Sequence, residues 1–158
     1  MTAGYFQLKF HSYQFKMKKL IKQINVEGIT LPNTSLTNLD LIDAAKQLKI
    51  INFIGVFTRD LLPHHPKSRE CGIINLDSSD RPGTHWCCWW KVRKDIFYFD
   101  SYGLLPPTEL QNYFSNEIYY NSTRVQPDNQ VFCGHLCLYV LKRLDVGNDF
   151  QMIINTLF

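Results

Sequence analysis

Residues 126–144, QPDNQVFCGHLCLYVLKRL, combine a polar turn, a Cys-Gly step and an apolar run with helical spacing. If a helix begins near Cys133, its thiol lies beside unsatisfied backbone N–H groups and the positive end of the helix dipole, which favour the thiolate. Gly134 leaves room for a substrate carbonyl, and the Cys133 amide and the Gln126 side chain could donate to an oxyanion. The segment indicates nucleophilic chemistry, although a buried core cysteine would also fit it.

A cysteine nucleophile needs a general base, and the chain has five histidines. His85 follows Gly83-Thr84 at the start of a strand-like run, where a strand end exposes a side chain at a cleft. The remaining histidines are less suitable: His11 is near the N-terminus, His64 and His65 are in a proline-bounded loop, and His135 points away from Cys133 on the same helix. His85 is therefore the candidate base.

Asp100 ends the next strand-like run, within YFDSYG. A tight turn at 93–95 would place residue 87 opposite Asp100, so that His85 lies within one residue pair of the carboxylate along the sheet edge. A carboxylate after three aromatic residues is costly to bury unless it has a donor. Asp100 could instead cap the turn at 101–103, and His85 could be a hydrogen-bonded core histidine, so both alternatives stay open at this point.

The composition is that of an ordinary globular domain. The 158 residues are 45% hydrophobic and 20% charged, which suits one domain with a sizeable core. The net charge of +3 is too small to argue nucleic-acid binding from composition. No apolar run resembles a signal peptide or a membrane span, so we expect neither classical secretion nor membrane insertion.

Five cysteines, two of them adjacent, do not form the pattern of a disulfide framework. A reducing, intracellular setting is expected. Cys133 and Cys137 lack a second pair for zinc, because Cys87 and Cys88 would point to opposite faces of a strand. We predict no metal and no cofactor.

Residues 1–35 form a basic extension, and residues 36–158 form the main domain. Within the extension, KMKKLIKQI could be a helix that docks on the domain or a basic strip that contacts DNA or another partner. The alternative is a solvated, partly ordered terminus.

The remaining pattern mixes helices and strands. Thr37 and Asp40 form a capping box before a helix at about 38–49, and Thr108 and Gln111 are spaced for a second box before a helix that ends near Phe114. Further helices are expected from Cys133 and at about 149–157. Strands are expected at 71–76, 85–92 and 96–100, which together form an antiparallel sheet. A further strand is expected at 118–120, and an alternative interpretation adds one at 122–125.

The ordered set GTHW at 83–86, YFDSYG at 98–103, Gln126 and CGHLC at 133–137 resembles the adenovirus-type cysteine endopeptidases, relatives of the SUMO-specific proteases. It looks most like the version encoded by Maverick/Polinton transposons and adintovirus-like elements. The resemblance implies an α+β fold, with a central, mostly antiparallel sheet packed against the cysteine-bearing helix in a papain-type arrangement.

By this resemblance, the catalytic residues would be His85 as base, Asp100 as the acid that orients it, Cys133 as nucleophile and Gln126 as oxyanion donor. Trp86 would pack under the site. The implied function is a monomeric thiol endopeptidase whose polypeptide substrates are viral or transposon capsid precursors. The alternatives are an isopeptidase for ubiquitin-like modifiers, and a binding module without catalysis on the same fold.

Overall fold

The computed structural model describes residues 23–157. Residues 1–22, which hold most of the predicted basic extension, and Phe158 lie outside the described residues, so the proposed helix or DNA contact there is not addressed. Gln23–Val26, the end of the extension's basic stretch, forms a strand (β1) paired antiparallel with Ile29–Pro32 (β2). Val26 and Leu31 of this hairpin are buried in the main hydrophobic core.

A five-stranded mixed sheet forms the centre of the domain. Its strands are β3 (Phe53–Thr58), β4 (Arg69–Asn75), β5 (Trp86–Val92), β6 (Asp95–Phe99) and β7 (Tyr119–Tyr120), hydrogen-bonded in that order. The central pairs β4–β5 and β5–β6 are antiparallel, whereas the outer pairs β3–β4 and β6–β7 are parallel. The predicted mostly antiparallel sheet is confirmed for the central strands, and the parallel edges make it mixed.

The β5–β6 hairpin has the predicted register. Val92 pairs with Asp95 and Cys88 with Phe99, so only Arg93 and Lys94 make the turn. Arg93 adopts the left-handed conformation, with φ of 57°, and its N–H donates to Ser68 O at 2.7 Å. This short turn sets which residues lie side by side where β6 ends.

Four helices are present among residues 23–157: α1 (Asn38–Gln47), α2 (Thr108–Phe114), α3 (Cys133–Asp145) and α4 (Phe150–Thr156). The Thr37–Asp40 capping box before α1 is confirmed. The Thr108–Gln111 box is wrong, because the N-cap is Pro107 and the Gln111 side chain donates to Pro106 O at 2.7 Å instead. Residues 122–125 are not a strand.

The sheet separates two hydrophobic clusters. Cys88 belongs to the larger cluster, with α1, α3, α4 and the β1–β2 hairpin. Its neighbours Cys87 and Trp89 belong to the smaller cluster, with Leu110 and Phe114 of α2. Cys87 and Cys88 therefore face opposite sides of β5, as predicted from strand alternation, and α3 and α2 cover opposite faces of the sheet.

The five cysteines all lie in the described range and are free, buried thiols. No helix within residues 23–157 has the length and apolar character needed to cross a bilayer.

Candidate active site

Cys133 is the first residue of α3, and 8% of its surface is exposed. The helix is held in the core by an almost continuous apolar sequence, because residues 133–141 are all buried. Phe132 occupies the N-cap position and supplies no side-chain hydrogen bond to the first turn. The backbone N–H groups of that turn therefore remain directed toward whatever binds beside the thiol, and the helix dipole favours negative charge there.

His85 directly precedes β5, and its ring is held by the buried acid. Its Nε2 atom lies 2.7 Å from Asp100 Oδ1. The Cys133 side chain is near enough to the ring to influence its pKa. The structure thus brings the predicted base, acid and nucleophile together from three separate elements, namely the start of β5, the end of β6 and the start of α3.

The electrostatics of this group favour a protonated imidazole. Burial by itself disfavours the charged ring, but the interactions with Asp100 and with the nearby Cys133 side chain outweigh it and raise the pKa of His85 to about 9. In this form both ring nitrogens are donors. The arrangement can therefore hold an imidazolium beside the sulfur of Cys133 near neutral pH.

Asp100 has no solvent-exposed surface and makes several contacts through one oxygen. Its Oδ1 accepts from both His85 Nε2 and the Tyr102 N–H, each at 2.7 Å. Its carbonyl accepts from Gly103 N at 2.9 Å, which closes a turn. The sequence left open whether Asp100 binds His85 or caps the turn at 101–103. In the structure the same carboxylate does both.

Asn121 clamps the backbone of Asp100 from the neighbouring loop. Its Oδ1 accepts from Asp100 N at 3.0 Å, and its Nδ2 donates to Asp100 O at 2.6 Å and to Thr123 O at 3.1 Å. The sequence analysis missed this buried residue. Only its position directly after β7 was a signal, since a buried amide at a strand end needs backbone partners.

Gln126 lies in the loop between β7 and α3, and only 2% of its surface is exposed. Its backbone N–H donates to Ser101 O at 3.0 Å, which ties it to the residue after Asp100. Its side-chain Nε2 donates to Gln130 O at 2.6 Å. An amide nitrogen carries two hydrogens, so one donor remains after this bond.

The other described histidines take no part in this group. His64 and His65 are exposed, as expected for their loop. His135 is buried, and its Nε2 lies 2.8 Å from Pro32 O of β2. Burial lowers the pKa of His135, so it is a neutral histidine that joins α3 to the hairpin.

A cleft of about 460 Å³ opens at Cys133. One wall is formed by β3 and the start of β5, the other by the segment that leads into α1; among the lining residues are Leu36, Val56, Gly83, Trp86 and Cys133. Trp86 is half-buried, and its indole N–H donates to Leu36 O at 2.9 Å. It lines the cleft and packs against the main core.

Within residues 23–157, one set of side chains has the spacing of metal ligands, namely His85, Cys87 and Asp100, whose ligand atoms lie within 4.8 Å of one another. Two of its members are the hydrogen-bonded His85 and Asp100 pair.

Cys137, one helical turn after Cys133, lies inside the core, where its thiol donates to Trp86 O at 3.4 Å.

Comparison with known proteins identifies the fold. No family model and no curated protein matches the sequence. Among solved structures, the chain is similar to the crystal structure of selenomethionine ASFV pS273R protease, with a TM-score of 0.56 at 16% sequence identity. The similarity covers 78% of this chain but 63% of that protease.

The chain has the fold of that protease. The predicted α+β fold is therefore confirmed, with a mixed sheet and four helices among residues 23–157. Because one fold can carry several activities, function must be argued from the side chains of the site.

Proposed function

We propose that this protein is a cysteine endopeptidase, with Cys133 as nucleophile, His85 as general base and acid, and Asp100 as the residue that orients His85. The observation that carries the proposal is one imidazole that lies 2.7 Å from a buried carboxylate and is near enough to a cysteine at a helix N-terminus for that side chain to influence its pKa. A cysteine held only for packing would not need this partner. The ASFV neighbour, which is a protease, supports the same activity.

The first half of the reaction transfers the acyl group to sulfur. The Cys133 thiolate attacks the carbonyl carbon of the scissile peptide bond, a C–S bond forms, and the carbonyl electrons move onto oxygen. The His85 imidazolium then gives its proton to the amide nitrogen, the C–N bond breaks, and the amine leaves.

The second half restores the thiolate. Neutral His85 removes a proton from water, the hydroxide attacks the thioester carbonyl, and the C–S bond breaks to release the acid. Both oxyanions need donors, and we assign these to the Cys133 backbone N–H and the second hydrogen of Gln126 Nε2. Asp100 keeps its charge throughout and stabilises the imidazolium.

The proposed substrates are structural precursors of a virus or transposon, in keeping with the likeness of the sequence motifs to Maverick/Polinton endopeptidases. A polypeptide would occupy the cleft beside Cys133 as an extended strand. DNA contact through the basic N-terminal arm, residues 1–35, a monomeric state and a location in the nucleus, cytoplasm or virion belong to the same proposal.

The deciding experiment compares purified wild type with Cys133→Ala and His85→Ala on the proposed substrates, the capsid precursors of the encoding element. Wild type should cleave, and both variants should be inactive. Cys137→Ala and His64→Ala are matched controls, because they remove a thiol one turn along the same helix and an exposed imidazole. Both controls should retain activity.

Equal processing by wild type and Cys133→Ala would refute the proposal. A fusion of a ubiquitin-like modifier, assayed in parallel, distinguishes the two substrate classes. Cleavage of that fusion alone would make the protein a modifier isopeptidase. If the wild type cleaves neither substrate and forms no thiohemiacetal with a peptide aldehyde, the protein is a binding module.

A further inference from the structure

Tyr102 is covered by two cationic or potentially cationic side chains. Its ring stacks on that of His85, with centroids 4.5 Å apart and an interplanar angle of 19°. The guanidinium carbon of Arg124 lies 4.5 Å from the centroid of the same ring. A tyrosine in this position contacts the proposed base but has no part in the acyl-transfer steps.

The backbone of Tyr102 contacts the proposed acid as well. Its N–H donates to Asp100 Oδ1 at 2.7 Å, and this oxygen also accepts from His85 Nε2. One residue therefore touches both partners of the buried pair, the acid through its backbone and the base through its ring.

Arg124 continues the contact toward the proposed oxyanion donor. Its Nε donates to the carbonyl of Gln126 at 2.7 Å, and it pairs with Asp128. The loop that carries Arg124 is packed closely on the turn after Asp100, because a Cβ at Gly103 would lie 2.9 Å from the Thr123 carbonyl carbon. The loops that hold the acid and Gln126 are thus joined through the Tyr102 ring.

Stacking on Tyr102 restrains the His85 ring against a motion that hydrogen bonding does not prevent. The hydrogen bond to Asp100 fixes one nitrogen of the His85 ring, but the ring can still tilt about that bond. An aromatic ring against its face opposes this tilt and shields the buried hydrogen bond from water, and a cation over the aromatic face adds attraction. Small displacements of a catalytic group have large kinetic effects.

We propose that Tyr102 is a positioning residue that holds the His85 ring in its reactive orientation, and that Arg124 supports it by covering the same ring and binding the Gln126 carbonyl. The proposal rests on the proposed function, and it adds two residues to the site: Tyr102, which lies within the YFDSYG motif but was given no role there, and Arg124, which lies outside the motifs.

The test measures peptide cleavage and alkylation of Cys133 by iodoacetamide in Tyr102→Ala, Tyr102→Phe and wild type. For Tyr102→Ala, kcat should fall about 10- to 100-fold while KM changes less than about threefold. Tyr102→Phe keeps the ring and the backbone N–H, so it should stay within about threefold of wild type.

Alkylation separates positioning from a general loss of structure. A thiolate paired with an imidazolium reacts below the usual thiol pKa of about 8.5, whereas an unpaired thiol needs higher pH. In Tyr102→Ala, the alkylation rate at pH 6 should fall at least tenfold and the rate at pH 9 should stay within about threefold. The other four cysteines are buried, and mass spectrometry of the peptide that contains Cys133 confirms the site.

Arg124→Ala should lower kcat less than Tyr102→Ala, and it should add little in the Tyr102→Ala background if it acts through the ring. Asp128→Ala is the matched control, since it removes an exposed ion pair but leaves the stack and the bond to Gln126; it should stay within about twofold. If Tyr102→Ala does not fold, Tyr102→Leu replaces it, because leucine fills space without a ring face.

An unchanged alkylation profile in Tyr102→Ala or Tyr102→Leu would overturn the inference, as would equal losses in Tyr102→Phe and Tyr102→Ala. Failure of the proposed function is a different result, because it would appear as wild type that cleaves no peptide. The alkylation measurement remains informative in that case, since it requires only the thiol and the imidazole.

Discussion

The Nε2 atom of His85 lies 2.7 Å from the Oδ1 atom of Asp100, and the Asp100 side chain is fully buried. These residues meet because β5 and β6 are joined by a two-residue turn, which sets the end of β6 beside the start of β5. A sheltered carboxylate at this distance stabilises a positive imidazole. The pH dependence of the protein should therefore depend on this pair.

Asp100→Asn should shift the alkaline limb of activity. In wild type, kcat/KM should decline as His85 loses its proton, with an apparent pKa near 9. Asparagine removes the negative charge that helps raise this pKa, so the limb should move to lower pH, and kcat should also fall. The measurement is kcat/KM from pH 5 to 10.

Asp95→Asn is the control for this shift, because Asp95 lies on the same strand but is exposed. Its profile should match that of wild type. An alkaline limb at the same pH in Asp100→Asn and wild type would contradict the assignment of the limb to the His85 and Asp100 pair.

The same pair should make folding stability depend on pH. The pKa of His85 is raised from 6.5 to about 9 on folding. The stability it contributes is therefore fully present below about pH 6.5 and is lost as the pH rises toward 9. The free energy of unfolding, measured with urea, should fall less between pH 6 and pH 9 for Asp100→Asn than for wild type. Equal losses in the two proteins would rule out this linkage.

Gln126→Ala should remove an oxyanion donor. We expect kcat to fall by about 10² to 10³, with a smaller change in KM, because the hydrogen bond strengthens only as charge develops on oxygen. Gln130→Ala is a close control, since Gln130 receives the Gln126 side chain through its backbone carbonyl. A rise in KM with kcat unchanged would argue against the oxyanion role.

Gly72→Ala should destabilise the smaller hydrophobic cluster. A Cβ at Gly72 would lie 2.5 Å from two atoms of the fully buried Trp89 ring. Overpacking of this kind costs about 1 to 3 kcal/mol, measurable by urea unfolding. In a Trp89→Leu background the clashing atoms are absent, so the same substitution should cost clearly less. An equal cost in both backgrounds would place the strain elsewhere.

Several elements could be predicted because their signals are local. The aromatic and apolar runs of β4, β5 and β6 are bounded by turn residues, and the charged turn at 93–95 set their register. The Thr37–Asp40 box marked the start of α1. Thr108 and Gln111 have the same spacing, but the box did not form, because α2 begins at Thr108 itself and Gln111 binds Pro106 O.

Other features depend on residues that are far apart in the chain. The hairpin at 23–32 was not foreseen, because a basic stretch looks solvated until Val26 and Leu31 find the core. The parallel pairing of β3 with β4 could not be inferred from a short apolar run. Asn121 and Arg124 carry no motif, and the YFDSYG motif gave no role to Tyr102. The contacts of these residues exist only because two loops lie against each other.

The sequence by itself determined the chemical types of the site and the elements that present them, since strand alternation, turn residues and helix periodicity act over a few neighbouring residues. Only the tertiary structure decided that the ring of His85 lies between Asp100 and Cys133 and against Tyr102. That convergence requires the packing of α3 on β5 and the register of the β5–β6 hairpin at the same time. It is a property of the folded core rather than of any one segment.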